Sequence, residues 1–508
     1  MIADDLIEKQ FETLDDLIRV LAAEQPSAFA LICEDHSLTY AGLDRLMDRV
    51  AAALQRDRIA PGQAIAICAS NSIEHAAIFL GAARAGVVTA LLPTAVAPDS
   101  LVRMIADCDA RAVFLDAAAA ELLAQVRPVD LAIIAIDEAE ALDAWLAPEG
   151  ARPDRVEVGP QTPCNIIYSS GTTGTPNGVV QPAAMRWIHV QQGRILDGPA
   201  VMLISTPLYT TGGATILLMT LGSRGTAVIM RRFDARAFLE LAQRVRATHA
   251  ALTPVQYQRI LADPDFGRFD LSSFKMTYSI AAPAPAALKA EILRRWPGGL
   301  TEIYGTTEGG ACVLRADERP DKLHTVGLPG PRSVLKIIDE AGGELPVGEA
   351  GEVVAHSAAI MSGYHKHPEL TAQAGWRDEA GRWFFRTGDI GRLDDEGFLT
   401  LIDRKKDMII SGGFKIYPSD LEEVLMGHAE VQDAAVVGGP SARWGETPVA
   451  FVVARPGAAP DPKDLLAWAN ARLGKVQRLA EVRLADDLPR NVLGKVLKRE
   501  LRRRLQPS

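Results

Sequence analysis

From Leu38 to Asp116 the chain keeps to one rhythm, in which short apolar runs alternate with amphipathic stretches. Residues 40–55 place Leu43, Leu46, Val50, Ala53 and Leu54 at helical spacing, and Ala64-Ile-Ala-Ile-Cys68 reads as a buried strand. The rhythm recurs at 227–230, followed by a helix over 235–247, and at 275–280, followed by a helix over 286–295. Such alternation predicts an α/β fold of layered subdomains with parallel strands. Residues 198–223 carry no charged side chain and are long enough to span a bilayer. Pro207, Gly212 and Gly213 interrupt that run, so a buried strand, a turn and a buried helix are expected instead.

With 508 residues the chain exceeds what one hydrophobic core supports, so two or more domains are expected. Past about residue 325 the texture turns to short strands at 334–338 and 351–354 with a Gly-rich turn between them, an antiparallel β subdomain. Beyond 406 a small unit follows, with strands at 408–410, 434–437 and 449–453 and helices over 419–426, 464–473 and 496–505. The last helix is basic, which reads as a solvated face. A net charge of −10 gives no sign of a nucleic-acid partner. Five cysteines without a Cys-x-x-Cys pair fit a reducing compartment, and the acidic N-terminus lacks the apolar stretch of a secretory signal, so a cytoplasmic protein is expected.

Against this frame, Tyr168-Ser-Ser-Gly-Thr-Thr-Gly-Thr-Pro-Asn-Gly-Val-Val180 carries the most chemistry. Hydroxyls and bare backbone N–H groups at Ser169, Ser170, Gly171, Thr172, Thr173 and Gly174 suit a polyphosphate, because glycine lets the backbone approach phosphate oxygens closely. The spacing fits neither the Walker loop nor the dinucleotide Gly-x-Gly-x-x-Gly pattern. Four further strings have chemical content. Glu302-Ile-Tyr-Gly-Thr-Thr-Glu308 offers an aromatic face, hydroxyls and a hard carboxylate oxygen. Arg386-Thr-Gly-Asp389 offers a carboxylate able to accept from two vicinal hydroxyls. The run from Asp403 to Asp407 followed by Gly412-Gly413 suits an exposed linker that can bend. Leu488-Pro-Arg-Asn-Val-Leu-Gly-Lys495 ends on a lysine close to the C-terminus.

In this order the five strings resemble the motifs of the adenylate-forming superfamily, and nearly the whole chain resembles an AMP-forming acyl-CoA synthetase of the aryl and medium- or long-chain fatty acyl type. The resemblance implies a large N-terminal domain, 1–405, joined by a hinge at Lys406 to a small mobile α+β domain, 406–508. It implies ATP, Mg2+ and coenzyme A, with Tyr304, Gly305, Thr306, Ala281, Ala282 and Pro283 around the nucleotide, Thr307 on the α-phosphate and Glu308 on magnesium. Asp389 and Arg404 would hold the ribose, and Lys495 would bridge the acyl carboxylate and the α-phosphate. Gly412 and Gly413 would line the pantetheine path, Trp444 would stack on the coenzyme A adenine, and Arg478 would meet its phosphate. The acid pocket would be lined by Tyr209, Thr210, Gly212, Gln256 and Ser279, and its apolar, small lining suits an aryl or fatty acid.

Two departures stand out. Asn177 occupies the place of the loop lysine, which removes a positive charge from the polyphosphate loop and predicts weaker ATP binding; Thr210 occupies the place of a histidine gate, and it is not the aspartate with which amino-acid-activating relatives hold the α-ammonium group, so amino acids are disfavoured as substrates. Three readings stay open: a coenzyme A ligase, an enzyme loading the thiol of a separate carrier protein, and a catalytically impaired nucleotide-binding relative. The sequence also leaves open whether chains pair as a homodimer.

Overall fold

The computed structural model describes residues 3–126, 131–169, 177–491 and 494–505. Two compact units emerge, Met1–Val334 with Ala355–Phe385, and Leu335–Val354 with Arg386–Ser508. The division falls inside strands Ser333–Ile338, Gly351–Ser357 and Trp383–Leu393, each of which contributes residues to both units.

The first unit is built on two large sheets. In one, strands Gly299–Gly305, Met276–Ser279, His249–Leu252, Val201–Ile204, Thr226–Ile229 and Phe29–Cys33 lie side by side and parallel. In the other, Pro163–Ser169, Val88–Leu91, Ala64–Cys68, Ala110–Leu115 and Ala132–Ala135 form the parallel part, and Asn177–Pro182 runs antiparallel at its edge beside Gly363–Tyr364. A single core joins Ile65 and Ile67 of the second sheet to Leu31, Ile204 and Ile229 of the first, through Leu43 and Val50 of helix Tyr40–Arg56 and Ile78 of helix Ile73–Arg84. The uncharged stretch folds as strand Val201–Ile204 and buried helix Thr211–Gly222. No helix among the described residues is long and apolar enough to cross a membrane. All five cysteines are buried and unpaired.

The second unit carries the antiparallel pair Trp383–Leu393 and Leu399–Arg404, then an α+β layer. Its sheet runs Phe414–Ile416, Ile409–Ser411, Gly445–Ala454, Val431–Ser441, with Glu481–Leu484 parallel to Gly445–Ala454. Leu421 and Leu425 of helix Pro418–Met426 and Leu465 of helix Pro462–Asn470 bury against Val436, Ala450 and Val452. Strands expected at 434–437 and 449–453 extend to eleven and ten residues, because the two pair with each other along most of their length. The last helix is only Lys498–Arg503, shorter than the expected 496–505, since Val496 is engaged in a bridge with Arg490.

Candidate active site

Four strands of the first sheet end side by side at its carboxyl edge, where open parallel sheets take their ligands. After Val201–Ile204 come Ser205 to Gly213, after His249–Leu252 come Thr253 and Gln256, after Met276–Ser279 come Ala281 to Pro283, and at the end of Gly299–Gly305 come Thr306 to Glu308. Segments separated by about a hundred residues of sequence thus share one edge. Three hydroxyls there, Ser205, Thr206 and Ser279, are buried and have no hydrogen-bond partner among the described residues. Buried hydroxyls without a partner are uncommon, because each costs its desolvation.

The turn after Tyr304 is tightly held. Thr306 donates from its hydroxyl to the Gly309 carbonyl at 2.9 Å, and the Thr307 carbonyl accepts from the side-chain amide of Gln181 at 2.7 Å. Glu308 accepts from the Tyr364 hydroxyl at 3.0 Å through Oε1, while its carbonyl accepts from the Met361 amide at 2.8 Å. Burial and the neighbouring Glu308 push the Tyr364 phenol well above its ordinary pKa, so it stays a donor. Magnesium in phosphate-transfer sites is held by one or two carboxylates plus substrate oxygens, and Glu308, half-buried and engaged at Oε1 by Tyr364, fits that demand. Among the described residues no cluster of three acidic, His or Cys ligands exists that would cage a metal on its own.

The segment from Ala281 to Pro283 is pinned from behind. The Ala284 amide donates to Glu302 Oε1 at 2.6 Å, and Glu302 is paired with Lys289, both fully buried, while Lys289 also donates to the Thr325 carbonyl at 2.8 Å. Ala281 has φ of 72°, a left-handed conformation costly for a residue with a Cβ and one that tends to persist at functional segments.

The acid-pocket residues have local duties as well. Thr210 caps helix Thr211–Gly222, accepting from the Gly213 amide at 3.1 Å and donating to the Pro207 carbonyl at 2.7 Å. A Cβ on Gly213 would come within 2.1 Å of the Pro207 carbonyl oxygen, which explains a glycine there beside Gly212. Gln256 forms a capping box with Thr253, its Oε1 accepting from the Thr253 amide at 2.9 Å, so the amide nitrogen is the group it can offer a substrate. Tyr209 is buried, and burial raises its phenol above the ordinary pKa.

Ser170, Gly171, Thr172, Thr173 and Gly174 lie outside the described residues. Their flanks do not: Ser169 ends one strand, directly paired with Asn177, which begins the next. The segment between them is therefore bounded by an antiparallel hairpin.

In the second unit, Asp389 and Arg404 face each other across paired strands, with Arg404 Nε 2.6 Å from Asp389 Oδ1. Lys406 is exposed in the turn that follows, and its neighbour Asp407 is buried and accepts from Arg502 at 2.8 Å. Lys495 is exposed at its chain. Desolvation of its ammonium by the surrounding protein, then the nearby Arg404 and Lys406 charges, nonetheless pull its pKa down to about 8, against the opposing pull of Asp389 and Asp407. Gly412 and Gly413, with φ of 56° and 84°, make the two-residue turn between Ile409–Ser411 and Phe414–Ile416. A Cβ on Gly412 would stand 2.7 Å from the Trp444 ring, so the turn and that indole are fitted to each other. Trp444 is 47% exposed with the Arg443 guanidinium 4.5 Å from its ring centre, and Arg478 is exposed on the loop before Glu481–Leu484.

Gln181, Tyr364 and Lys289, which hold the motif residues in position, carry no motif in the sequence, and Glu302 opens the second string without a role of its own there. Gln181 did carry a signal, a polar residue closing the apolar run Val179-Val180.

The family described as AMP-binding enzyme matches residues 18–365, and the AMP-binding enzyme C-terminal domain matches residues 420–495. A fatty acid–[acyl-carrier-protein] ligase, ScoC, of Streptomyces coeruleorubidus is 33% identical over 99% of this chain and 98% of its own length. An indoleacetate–CoA ligase of Aromatoleum aromaticum is 32% identical over 95% of this chain and 96% of its own. The structure of ATP-bound MatB from Rhodopseudomonas palustris superposes with a TM-score of 0.85 at 28% identity, covering 97% of this chain and 99% of the other. With the family matched along most of its length and the Tyr304–Glu308 turn standing at the ligand edge of its sheet, the chain belongs to the AMP-binding enzymes of the adenylate-forming superfamily and is an AMP-forming acid–thiol ligase.

Proposed function

We propose that this enzyme activates an apolar aryl or fatty carboxylic acid as its acyl-adenylate and transfers the acyl group to the thiol of coenzyme A. The observation that supports this most is the alignment of four strand ends, which brings Thr307 and Glu308 to the same sheet edge as the segments carrying Tyr209, Gly212, Gln256 and Ala281 to Pro283. In this reading the acid carboxylate attacks the α-phosphate of ATP and pyrophosphate leaves; the thiol then displaces AMP. Thr307 holds the α-phosphate, Tyr304 and the segment from Ala281 to Pro283 hold the adenine, and Asp389 with Arg404 holds the ribose. Loop residues 169–174 cradle the leaving pyrophosphate through N–H and hydroxyl donors. Lys495 holds the acyl carboxylate against the phosphate, and its charge stabilises the crowded transition state. Magnesium, when bound at Glu308, neutralises phosphate charge.

No protein nucleophile is required, so catalysis rests on positioning and electrostatics. Rotation about Lys406 would then withdraw Lys495 and bring the Gly412–Gly413 turn to the thiol path, with 1–405 and 406–508 as the moving bodies. Trp444 and Arg478 would receive the nucleotide end of coenzyme A, with Arg443 adding charge beside the indole.

The similarity to an acyl-carrier-protein ligase favours a second acceptor, a phosphopantetheine thiol on a separate protein. ATP–pyrophosphate exchange with a panel of carboxylic acids, followed by thioester detection with coenzyme A and with a holo carrier protein, separates the readings. Exchange followed by coenzyme A thioester supports the proposal. Exchange with thioester only on the carrier replaces the acceptor, and exchange with no acid overturns the reading.

A further inference from the structure

Arg186, on helix Ala183–Gln191, is fully buried, and its hydrogen-bond partners among the described residues are all neutral. Its Nε donates to Asn165 Oδ1 at 2.7 Å, its Nη2 donates to Gln181 Oε1, and its Nη1 lies 3.3 Å from His189 Nδ1. The adjacent Cys164 thiol is raised to about 11 by burial and is uncharged at neutral pH. Burial lowers the guanidinium only to about 10, so it stays charged, and His189 beside it is driven well below its ordinary value and stays neutral. No carboxylate is paired with Arg186 among the described residues. A buried cation without a counter-ion costs several kcal/mol relative to an apolar side chain. Folding alone does not account for it.

What the guanidinium does is fix an amide. Asn165 and Gln181 face each other across the two strands that flank residues 170–176. Gln181 Oε1 accepts from both Arg186 and Asn165 Nδ2, the latter at 2.9 Å, which forces its Nε2 to the other side. There the two N–H groups donate to the Thr307 carbonyl at 2.7 Å and to the Thr211 hydroxyl at 3.1 Å. Flipping the amide would set its NH2 against the guanidinium and two donors against each other, so one orientation only is allowed. Both Asn165 and Gln181 are, like Arg186, fully buried. The network thereby joins the base of the phosphate hairpin, the first turn of helix Thr211–Gly222 and the turn that carries Thr307 and Glu308.

We propose that Arg186 is a positioning residue for acid activation: acting through Gln181, it sets the Thr307 turn and the Thr211 helix start relative to the hairpin, so that α-phosphate and acid meet in attacking geometry. The proposal rests on the ligase reading above, since it takes Thr307 as the α-phosphate contact.

Gln181→Glu is the informative variant. It gives Arg186 an ion pair, so the fold is kept, but it removes both donors to Thr307 and Thr211. The expected result is a fall in kcat for pyrophosphate exchange of ~10- to 100-fold, the scale of a small misplacement of reacting groups, with the ATP KM little changed and the melting temperature maintained. Arg186→Met is expected to lower kcat in the same direction, and Arg186→Lys to recover only part of it, because an ammonium cannot reproduce the fork on Asn165 and Gln181. The double variant should lose little beyond Gln181→Glu alone. Wild-type kcat in Gln181→Glu, or an effect confined to melting temperature, overturns the proposal, as does full kcat in a folded Arg186→Met. Backbone hydrogen exchange at 305–309 with and without Mg-ATP separates the two levels of inference. If the wild-type enzyme exchanges pyrophosphate with no acid, the ligase reading fails; Mg-ATP protection of 305–309 that is present in wild type and absent in Gln181→Glu would still sustain the positioning role. Equal protection in both overturns it.

Discussion

The turn at Thr306–Glu308 and the strand pair at Asp389–Arg404 hold their functional side chains by different means. Around the turn the contacts are hydrogen bonds with neutral donors: Gln181 to the Thr307 carbonyl, Tyr364 to Glu308, and the Thr306 hydroxyl to the Gly309 carbonyl. Such contacts are short-ranged and directional, and they fix positions while contributing little net charge. Around Asp389 the contacts are ionic: Arg404 is paired with it, Asp407 with Arg502, and Lys495, Arg404 and Lys406 act on one another. Charges act over longer distances and tolerate displacement, which suits groups whose partners change during a reaction. One region is built for geometry and the other for charge. Salt should therefore affect steps that depend on the second region more than the first.

Removing the lysine breaks the comparison at its most charged point. Lys495→Ala is expected to lower acid adenylation by at least ~100-fold, the size of loss seen when a preorganised electrostatic contact to the transition state is deleted. Thioester formation from supplied acyl-adenylate should stay near wild type, because that step does not use the ammonium. Melting temperature should also hold, since Lys495 is exposed and, among the described residues, only its backbone groups are hydrogen-bonded. A parallel loss in both half-reactions would show that the lysine supports structure rather than charge.

The same ammonium makes a pH prediction. Its pKa is lowered to about 8, and the charged form is the active one. As pH rises through about 8, the free enzyme loses that charge, so kcat/KM for adenylation should fall on the alkaline side, approaching tenfold per pH unit beyond the midpoint. Below that pH the profile should be flat with respect to this group. Thioester formation should lack the alkaline limb, and Lys495→Arg should abolish it, because a guanidinium stays charged throughout. An adenylation profile flat across the alkaline range would remove Lys495 from its assigned role.

Tyr364 tests the neutral side. Tyr364→Phe keeps the ring and deletes one hydrogen bond to Glu308, a change of about 1 kcal/mol. The expected outcome is a rise of ~5-fold in the Mg2+ concentration needed for half-maximal exchange, with little change in kcat at saturating Mg2+. Mg2+-dependent thermal stabilisation of the ATP complex should weaken in step. A fall in kcat at saturating metal would place Tyr364 closer to the reaction than the geometry indicates.

How far the sequence reaches differs between the same two regions. The alternation of apolar runs and amphipathic stretches located strands Ala64–Cys68, Thr226–Ile229 and Met276–Ser279 and helix Ala286–Arg295, because buried parallel strands and their covering helices impose opposite periodicities. Motif residues such as Asp389 and Arg404 were legible because a family resemblance assigned both, and the structure adds that they are direct strand partners. Gln181, Arg186, Tyr364 and Lys289 were not, since their roles come from pairings between strands and helices remote in sequence. Lys289 and Glu302 are thirteen residues apart and look like ordinary helix and strand charges until burial joins them. Gln256 and Thr210 show the converse: each reads as a substrate contact in the sequence, yet each also spends a side-chain oxygen on a helix cap.

Asn177 gives the finest test of the comparison, because a lysine there would add a charge near the neutral donors that hold the Thr307 turn. The residue opens strand Asn177–Pro182 opposite Ser169, at the rim of the hairpin bounding residues 170–176, and its side chain is half-buried. A lysine there reaches toward the polyphosphate without disturbing the ladder, whose backbone pairing does not depend on the side chain. Asn177→Lys should lower the ATP KM by ~3-fold, in the range of a partly exposed ion pair, and the gain should shrink as ionic strength rises. Acid adenylation at saturating ATP should be unchanged, because the residue stands at the leaving pyrophosphate and Lys495 already supplies charge at the reacting phosphate. An ATP KM that does not move would mean that the N–H and hydroxyl donors of the loop saturate the pyrophosphate on their own. The neutral means of holding ligand would then extend from the Thr307 turn to the hairpin that bounds residues 170–176.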